Sequence, residues 1–118
     1  MAEISIGPSG VKGRGVFAGK WFGSGEIIET VPVVVLPDPQ FEYLEQTTLK
    51  DYYFFWTDQS VALGFGCSSL INHSPAPNAE LRRDVENQIM RIVAVREIKP
   101  GEEITVAYHC APWFKVVD

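Results

Sequence analysis

The stretch INHSPAPNA, residues 71–79, places an Asn-His-Ser triplet on a segment with two prolines, and a second asparagine directly follows the second proline. Proline fixes its own φ and removes a backbone donor, so Pro75 and Pro77 predict a stiff loop. Two interpretations of Asn72 and Asn78 follow. Their side chains either cap turns, as asparagine commonly does, or belong to a binding site whose other parts lie elsewhere in the chain.

The chain before this loop contains short Val and Ile runs separated by glycine. Such runs indicate strands, because β-branched residues suit a pleated surface and glycine clusters break it. Strands are predicted in EISIG (3–7), GVKGRGVFA (10–18) and GEIIETVPVVVL (25–36). PDPQ (37–40) ends this region, since proline cannot donate to a sheet ladder. Residues 41–56, FEYLEQTTLKDYYFFW, do not sustain a helical stripe, so we expect at most a short helix or an irregular insert there.

The rest of the chain again indicates strands. SVALGFG (60–66) predicts a strand that ends in a glycine bend, and the alternation from Ile89 to Val95 predicts a half-buried strand. KPGEE (99–103) predicts a tight turn before a final strand, ITVAY (104–108). No repeat or linker divides the sequence. We therefore expect one mainly β domain, 1–118, built from several small sheets of short strands with little helix.

Composition and charge exclude several classes of protein. Of the 118 residues, 46 % are hydrophobic and 21 % are charged, as in ordinary globular proteins. No secretion signal or membrane span is recognisable, so we expect a soluble, intracellular protein in the cytoplasm or a host nucleus. The net charge of −5 argues against direct nucleic-acid binding and favours basic partners. Cys67 and Cys110 are expected to be free thiols.

Three motifs stand in a restrictive order: KGRGVFA (12–18), INHSPAPNA (71–79) and GEEITVAY (101–108). Each alone is weak, because a lone GxG is usually a turn and NHS is often a polar loop. Together they resemble the SET-domain protein lysine methyltransferases, whose motifs are an early GxG before an aromatic, an NHS followed by PN, and a late GEE(I/L)T that ends in tyrosine. The resemblance runs from about Gly10 to Tyr108.

The resemblance implies a fold and a domain layout. An N-terminal part (about 1–36) and a C-terminal part (about 61–108) would enclose a variable insert (about 37–60), with a short tail (109–118). In the family, a knot-like crossing of the C-terminal chain builds the active site. The absence of an upstream cysteine cluster or a downstream CxC means that zinc is not implied. The small size suggests a minimal, stand-alone member of viral or microbial type.

The resemblance also implies S-adenosylmethionine as methyl donor and a lysine of a histone-like or other basic protein as substrate. By analogy, Lys12, Gly13 and Arg14 hold the methionine part, and Gly13 and Gly15 lack the Cβ atoms that would block close approach. Asn72 hydrogen-bonds near the amino end of the cofactor, and the His73 backbone reaches the adenine. These cofactor assignments are completed by Trp113, or alternatively Phe114, which would close the site.

Tyr108 and Tyr52 are the catalytic residues that the resemblance implies. The Tyr108 hydroxyl would orient the lysine amine, and Tyr52, in DYYFFW (51–56), would line an aromatic channel for it. Taken alone, a tyrosine in either position is more often a plain core residue. The family position that limits the number of methyl groups falls near Ile92 and Val93, and an aliphatic residue there leaves mono-, di- and trimethylation open.

Three further expectations concern partners and alternatives. The short tail offers a minimal C-terminal lid, so a second subunit is expected to supply the missing wall in a homodimer. A catalytically inactive SET-like module that binds basic peptides is the alternative function. A zinc site is the third hypothesis, and it is weak because the spacing of its four ligands fits no standard finger. The four ligands would be Cys67, His73, His109 and Cys110.

Overall fold

The computed structural model describes residues 3–10 and 13–107. This part of the chain is mainly β, as predicted. Its strands are β1 (Ile4–Pro8), β2 (Arg14–Ala18), β3 (Ile27–Pro37), β4 (Phe54–Thr57), β5 (Ser60–Gly64), β6 (Asn72–His73), β7 (Ala79–Asp84), β8 (Ile89–Ala94) and β9 (Glu103–Val106). One α-helix, α1 (Asp38–Leu44), and 3-10 helices at Thr48–Asp51 and Ser68–Leu70 complete the described elements.

The strands form two sheets. A four-stranded sheet has the order β1-β2-β9-β6, and a five-stranded sheet has the order β4-β5-β3-β8-β7. Pairings are antiparallel except between β6 and β9, which run parallel with Asn72 opposite Thr105. The late strand β9 thus lies between an early strand, β2, and the two-residue strand β6. This insertion is the crossing expected near the end of the chain.

The five-stranded sheet curls until its two edge strands meet. Arg83 on β7 donates from Nη1 to the carbonyl oxygens of Phe55 (2.9 Å) and Trp56 (3.3 Å) on β4. The sheet is therefore nearly closed into a barrel. Trp56 is buried inside it with Val31, Ala62 and other apolar residues of β3, β5 and β8.

A larger apolar cluster joins the two sheets and supports the site. It contains Val16 of β2, Ile104 and Val106 of β9, and Ile92 of β8, all with no solvent exposure, and Ile71 at the start of the NHS loop. Burying side chains of this size stabilises the fold by about 1.5 to 3 kcal/mol each. The strands that carry the three motifs are thereby held against one core.

The predicted strands at the N-terminus, at 60–66 and at Ile89–Val95 are confirmed as β1, β2, β3, β5 and β8. The insert does hold a short helix, which begins earlier than expected because Pro39 stands in its first turn, where a missing N–H costs nothing. The sequence reading missed β4, β6 and β7. The final strand ends at Val106, two residues before its expected end, and Tyr108 lies outside the described residues.

In the described part of the chain, no helix is both long and apolar enough to cross a bilayer. Nor does any group of three His, Cys, Asp or Glu side chains lie close enough to hold a metal ion within residues 3–10 and 13–107. Two of the four zinc ligands considered above, His109 and Cys110, are outside those ranges.

Candidate active site

A cleft of about 200 Å³ brings the GxG and NHS motifs together with the insert. It is lined by Arg14, Asp51, Tyr52, Ser69, Leu70, Ile71 and Asn72. A wider, more apolar groove of about 350 Å³ adjoins it and shares Arg14, Tyr52, Ser69 and Leu70 with it. Residues distant in sequence therefore meet at one place, on the side of the four-stranded sheet where β2 and β6 flank β9.

Tyr52 lies at this cleft because it directly follows the 3-10 helix Thr48–Asp51. Thr47 caps that helix: its Oγ1 accepts from the backbone N–H of Leu49 (3.2 Å) and donates to the carbonyl of Leu44 at the end of α1 (2.8 Å). Tyr52 follows as the C-terminal cap, with its N–H donating to the Leu49 carbonyl at 3.0 Å. Tyr52 therefore lines the same cleft as Arg14 and Asn72, and its role in a lysine channel stays a prediction.

The other aromatic residues of DYYFFW point elsewhere. Tyr53 makes edge-to-face contacts with Phe41 and Phe55, with ring centroids 5.5 Å apart in both pairs. Desolvation, followed by the nearby Glu45, raises the pKa of Tyr53 to about 12. Trp56 lies in the barrel core. The cluster is thus part core and part site, and among these aromatic residues only Tyr52 lines the described clefts.

The two glycines of the GxG motif are required for different reasons. Gly13 has φ +80°, a conformation that favours glycine, and no described atom lies within 4 Å of the place where its Cβ would be. Gly15 is buried, and a Cβ there would overlap Oε2 of Glu103 and lie 3.1 Å from Nδ2 of Asn72. Gly13 therefore leaves backbone accessible, whereas Gly15 makes room for side chains of the protein itself.

Asn72 holds the centre of the site. Its Nδ2 donates to the Arg14 carbonyl (2.9 Å), to Oε2 of Glu103 (2.8 Å) and to Oγ of Ser9 (3.2 Å). One amide thus ties the β1–β2 loop, the GxG motif and β9 to the NHS loop. Glu103 and Ser9 were not among the residues predicted from the sequence, although Glu103 stands within GEEIT.

Asn78 is not a turn cap. It is 1 % exposed, its Oδ1 accepts from the backbone N–H of Thr105 (2.9 Å), and its Nδ2 donates to the Glu103 carbonyl (2.8 Å). Its amide therefore makes two hydrogen bonds to the backbone of β9. The interpretation of both asparagines as turn caps is wrong for Asn78.

Several predicted residues lie away from the cleft or cannot be placed. His73 pairs with Val106 in the sheet and is not among the described lining residues. Ile92 and Val93 are buried in β8 and do not line the described clefts. Lys12, Tyr108, Trp113 and Phe114 lie outside the described residues. Sequence reasoning missed four residues that line the smaller cleft, Asp51, Ser69, Leu70 and Ile71.

The model of the SET domain family matches residues 13–109. The chain belongs to the SET-domain family. This SET domain is 33 % identical over 105 residues to a Schizosaccharomyces pombe histone-lysine N-methyltransferase specific for H3 lysine-37, covering 88 % of the chain and 71 % of that protein. It is 34 % identical over 107 residues to the histone-lysine N-methyltransferase Set2 of Drosophila melanogaster, covering 82 % of the chain but 5 % of that protein.

Solved structures show the same fold. A Plasmodium falciparum protein described as a candidate histone methyltransferase superposes on this SET domain with a TM-score of 0.77 at 28 % identity, covering 97 % of this chain and 99 % of that one. A Polycomb Repressive Complex 2 structure bound to S-adenosylmethionine, ctPRC2, gives a TM-score of 0.77 at 21 % identity over 92 % of this chain and 15 % of that one. Its likeness concerns the fold alone.

Proposed function

We propose that this SET domain is a protein-lysine N-methyltransferase that uses S-adenosylmethionine and acts on a lysine ε-amine of a basic protein such as a histone. The observation that carries the proposal is the single cleft in which Arg14 of GxG, Asn72 of NHS and Tyr52 of the insert meet. The names of the S. pombe and Drosophila relatives support the activity.

The residues at the cleft suit the amino-acid end of the cofactor. Gly13 leaves its backbone accessible, and Asn72 and Ser69 offer polar side chains at the wall. Lys12, Gly13, Arg14, Asn72 and the His73 backbone are proposed to hold the cofactor, with Trp113 closing it. Gly15 acts through the room that it leaves. When bound, S-adenosylmethionine supplies an activated methyl group on a positively charged sulfonium.

The protein must also make the target lysine neutral, because only the free amine is a nucleophile. The pKa of a solvated lysine is about 10.4, so neutralising it near pH 7.4 costs about 4 kcal/mol. The apolar groove lined by Leu49, Leu63 and Tyr52 removes water from an amine placed there, and desolvation lowers a lysine pKa. Tyr108 is proposed to orient the amine.

Charge supports a basic substrate. The insert, residues 37–60, has one cation, Lys50, and five carboxylates, so it carries four of the five net negative charges of the chain. Those carboxylates are Asp38, Glu42, Glu45, Asp51 and Asp58. Of these, Asp51 lies at the cleft itself. An acidic rim raises the local concentration of a basic partner and favours its approach.

A calorimetric titration of the purified protein with S-adenosylmethionine tests the cofactor assignment without knowledge of the target. We expect a dissociation constant in the micromolar range and its loss in Asn72→Ala. Asn87→Ala is the matched control, because Asn87 is an exposed asparagine whose hydrogen bonds within the described ranges go to Asp84. No binding up to about a millimolar, equivalent to about −4 kcal/mol, would contradict the proposal and favour an inactive SET-like module.

Tyr108→Phe separates an enzyme from a binding module. It should keep the affinity for the cofactor while methyl transfer to histone or ribosomal protein mixtures, followed by mass spectrometry, falls strongly. Equal transfer by the variant and the parent protein would remove Tyr108 from the mechanism. The same preparations, examined by sedimentation, test the predicted homodimer.

A further inference from the structure

The amide of Asn72 can be placed in only one orientation by its surroundings. In the described part of the chain, the atoms within hydrogen-bond distance of Nδ2 are a backbone carbonyl (Arg14, 2.9 Å), a carboxylate oxygen (Glu103, 2.8 Å) and a hydroxyl (Ser9, 3.2 Å). A carbonyl and a carboxylate only accept. An amide turned over would set its oxygen against both of them. Nδ2 must therefore face the protein.

The orientation of the amide determines what Oδ1 of Asn72 can bind. No described residue donates to Oδ1 of Asn72, and Asn72 borders the cleft. With Nδ2 committed, the group that the side chain offers to a ligand is an acceptor. An acceptor suits an ammonium group and does not suit a carboxylate.

Glu103 is itself held in place from three directions. Its Oε1 accepts from the Ser9 hydroxyl at 2.7 Å, its backbone carbonyl accepts from Asn78, and its Oε2 occupies the space left by the missing Cβ of Gly15. It is half-buried on β9 and borders neither described cleft. Glu103 is thus a fixed carboxylate directed at the Asn72 amide and not at a ligand.

We propose that Glu103, supported by Ser9, is a positioning residue that fixes the orientation of the Asn72 amide, so that the cleft presents Oδ1 to the ammonium group of an amino-acid ligand. This proposal rests on the proposed function for the identity of that ligand. It explains why Ser9, a residue outside the three motifs, bonds to Glu103 across 94 positions of sequence.

The test compares two ligands and three variants by calorimetry. S-adenosylmethionine carries the ammonium group, whereas 5′-methylthioadenosine keeps the adenosine and the sulfur without the amino-acid end. We expect Glu103→Ala to weaken S-adenosylmethionine binding tenfold or more and to leave 5′-methylthioadenosine within twofold. Glu103→Gln, which can still accept from Nδ2, should recover part of the loss. Equal weakening of both ligands, or of neither, would overturn the positioning role.

A second readout needs no ligand. The Asn72 side-chain NH2 protons should exchange slowly with solvent in the parent protein and clearly faster in Glu103→Ala, as followed by NMR. If Glu103→Ala does not fold, Ser9→Ala takes its place. It removes one hydroxyl from the same contacts and should also make the Asn72 side-chain protons exchange faster. Unchanged exchange would reject the positioning role even where the cofactor binds. Slow exchange without any cofactor binding would instead reject the proposed function and leave the orientation of the amide established.

Discussion

The two ends of the loop from Asn72 to Asn78 use the same side chain for opposite purposes. Asn72 is half-buried and borders the cleft, and among residues 3–10 and 13–107 its side chain bonds only through its nitrogen. Asn78 is 1 % exposed and gives both its nitrogen and its oxygen to the backbone of β9. Asn72 borders the cleft, whereas Asn78 supports the backbone of β9. The residue type alone therefore does not identify a binding group; the partners of both its atoms do.

The largest effect on stability should come from Asn78→Ala. It removes the hydrogen bonds to the Thr105 N–H and the Glu103 carbonyl beside a buried core, and each lost bond of this kind costs about 1 to 3 kcal/mol. We expect the free energy of unfolding, measured in urea, to fall by about 2 to 4 kcal/mol.

Asn78→Asp sharpens that result. The new carboxylate can still accept from Thr105, but its second oxygen would face the Glu103 carbonyl and lie near Oε2 of Glu102, both acceptors. It should therefore destabilise the protein about as much as alanine does. A variant as stable as the parent would show that the clamp on β9 is dispensable.

Substitutions in the GxG motif should have the next largest effect on stability. In Gly15→Ala the new Cβ overlaps the Glu103 carboxylate, and overpacking of this kind costs about 1 to 3 kcal/mol. Gly13→Ala meets no described atom and should cost about 1 kcal/mol through its positive φ alone. Thermal unfolding of both variants tests the difference. The Gly15→Ala cost should shrink when Glu103 is also changed to Ala; strict additivity of the two costs would contradict the overlap.

Asn72→Ala should have a smaller effect on stability than Asn78→Ala, in contrast to its effect on binding. Its three acceptors are only partly buried, so water can replace the lost donor, and the expected cost is about 1 kcal/mol. Urea unfolding of the two alanine variants side by side measures the contrast. Equal losses would mean that Asn72, too, is chiefly structural.

The smallest expected effect is the pH dependence of stability that comes from Glu102, which lies beside Asn78. The Arg96 guanidinium, 2.5 Å from Oε2 of Glu102, lowers the pKa of Glu102, with the Lys99 N–H as the second cause. A lowered carboxyl pKa adds stability above the ordinary value of 4.5, and this stability is lost as the pH falls below it. The stability gap between the parent and Glu102→Gln should therefore narrow from pH 6 to pH 3, as thermal unfolding would show. Arg96→Gln should reproduce the gap; a gap that widens in acid would contradict the pairing.

Local sequence patterns predicted the strands that alternate or lie between glycines, such as β2 and β8, because burial of one face leaves a period in the residues themselves. They missed β6, which has two residues and exists only through its pairing with β9. They also missed β7, whose sequence AELRRD is polar and whose residues pair with residues of β8 that lie 5 to 15 positions later. Strands of this kind are created by their neighbours, not by their own propensity.

The residues of the candidate site also fall into those that the sequence could predict and those that it could not. Arg14 and Asn72 could be predicted because their motifs stand in a restrictive order, and Tyr52 because the resemblance picks it out of the aromatic stretch 51–56; the structure places all three at one cleft. Glu103 and Ser9 could not be predicted, since their role depends on contacts across 31 and 63 positions to the same amide. The different reasons for Gly13 and Gly15 also appear only when the neighbouring side chains are known.

The parallel pairing of β6 with β9 also sets an order of events during synthesis. Residues 103–106 must leave the ribosome before Asn72 has its strand partner, and before Asn78 and Glu103 can hold each other. Earlier hairpins such as β1–β2 and β4–β5 can pair locally, whereas contacts between distant segments form late and slowly. A nascent chain stalled before Glu103 would therefore contain most of the apolar core, but the Asn72 side chain would lack the carboxylate that holds its amide.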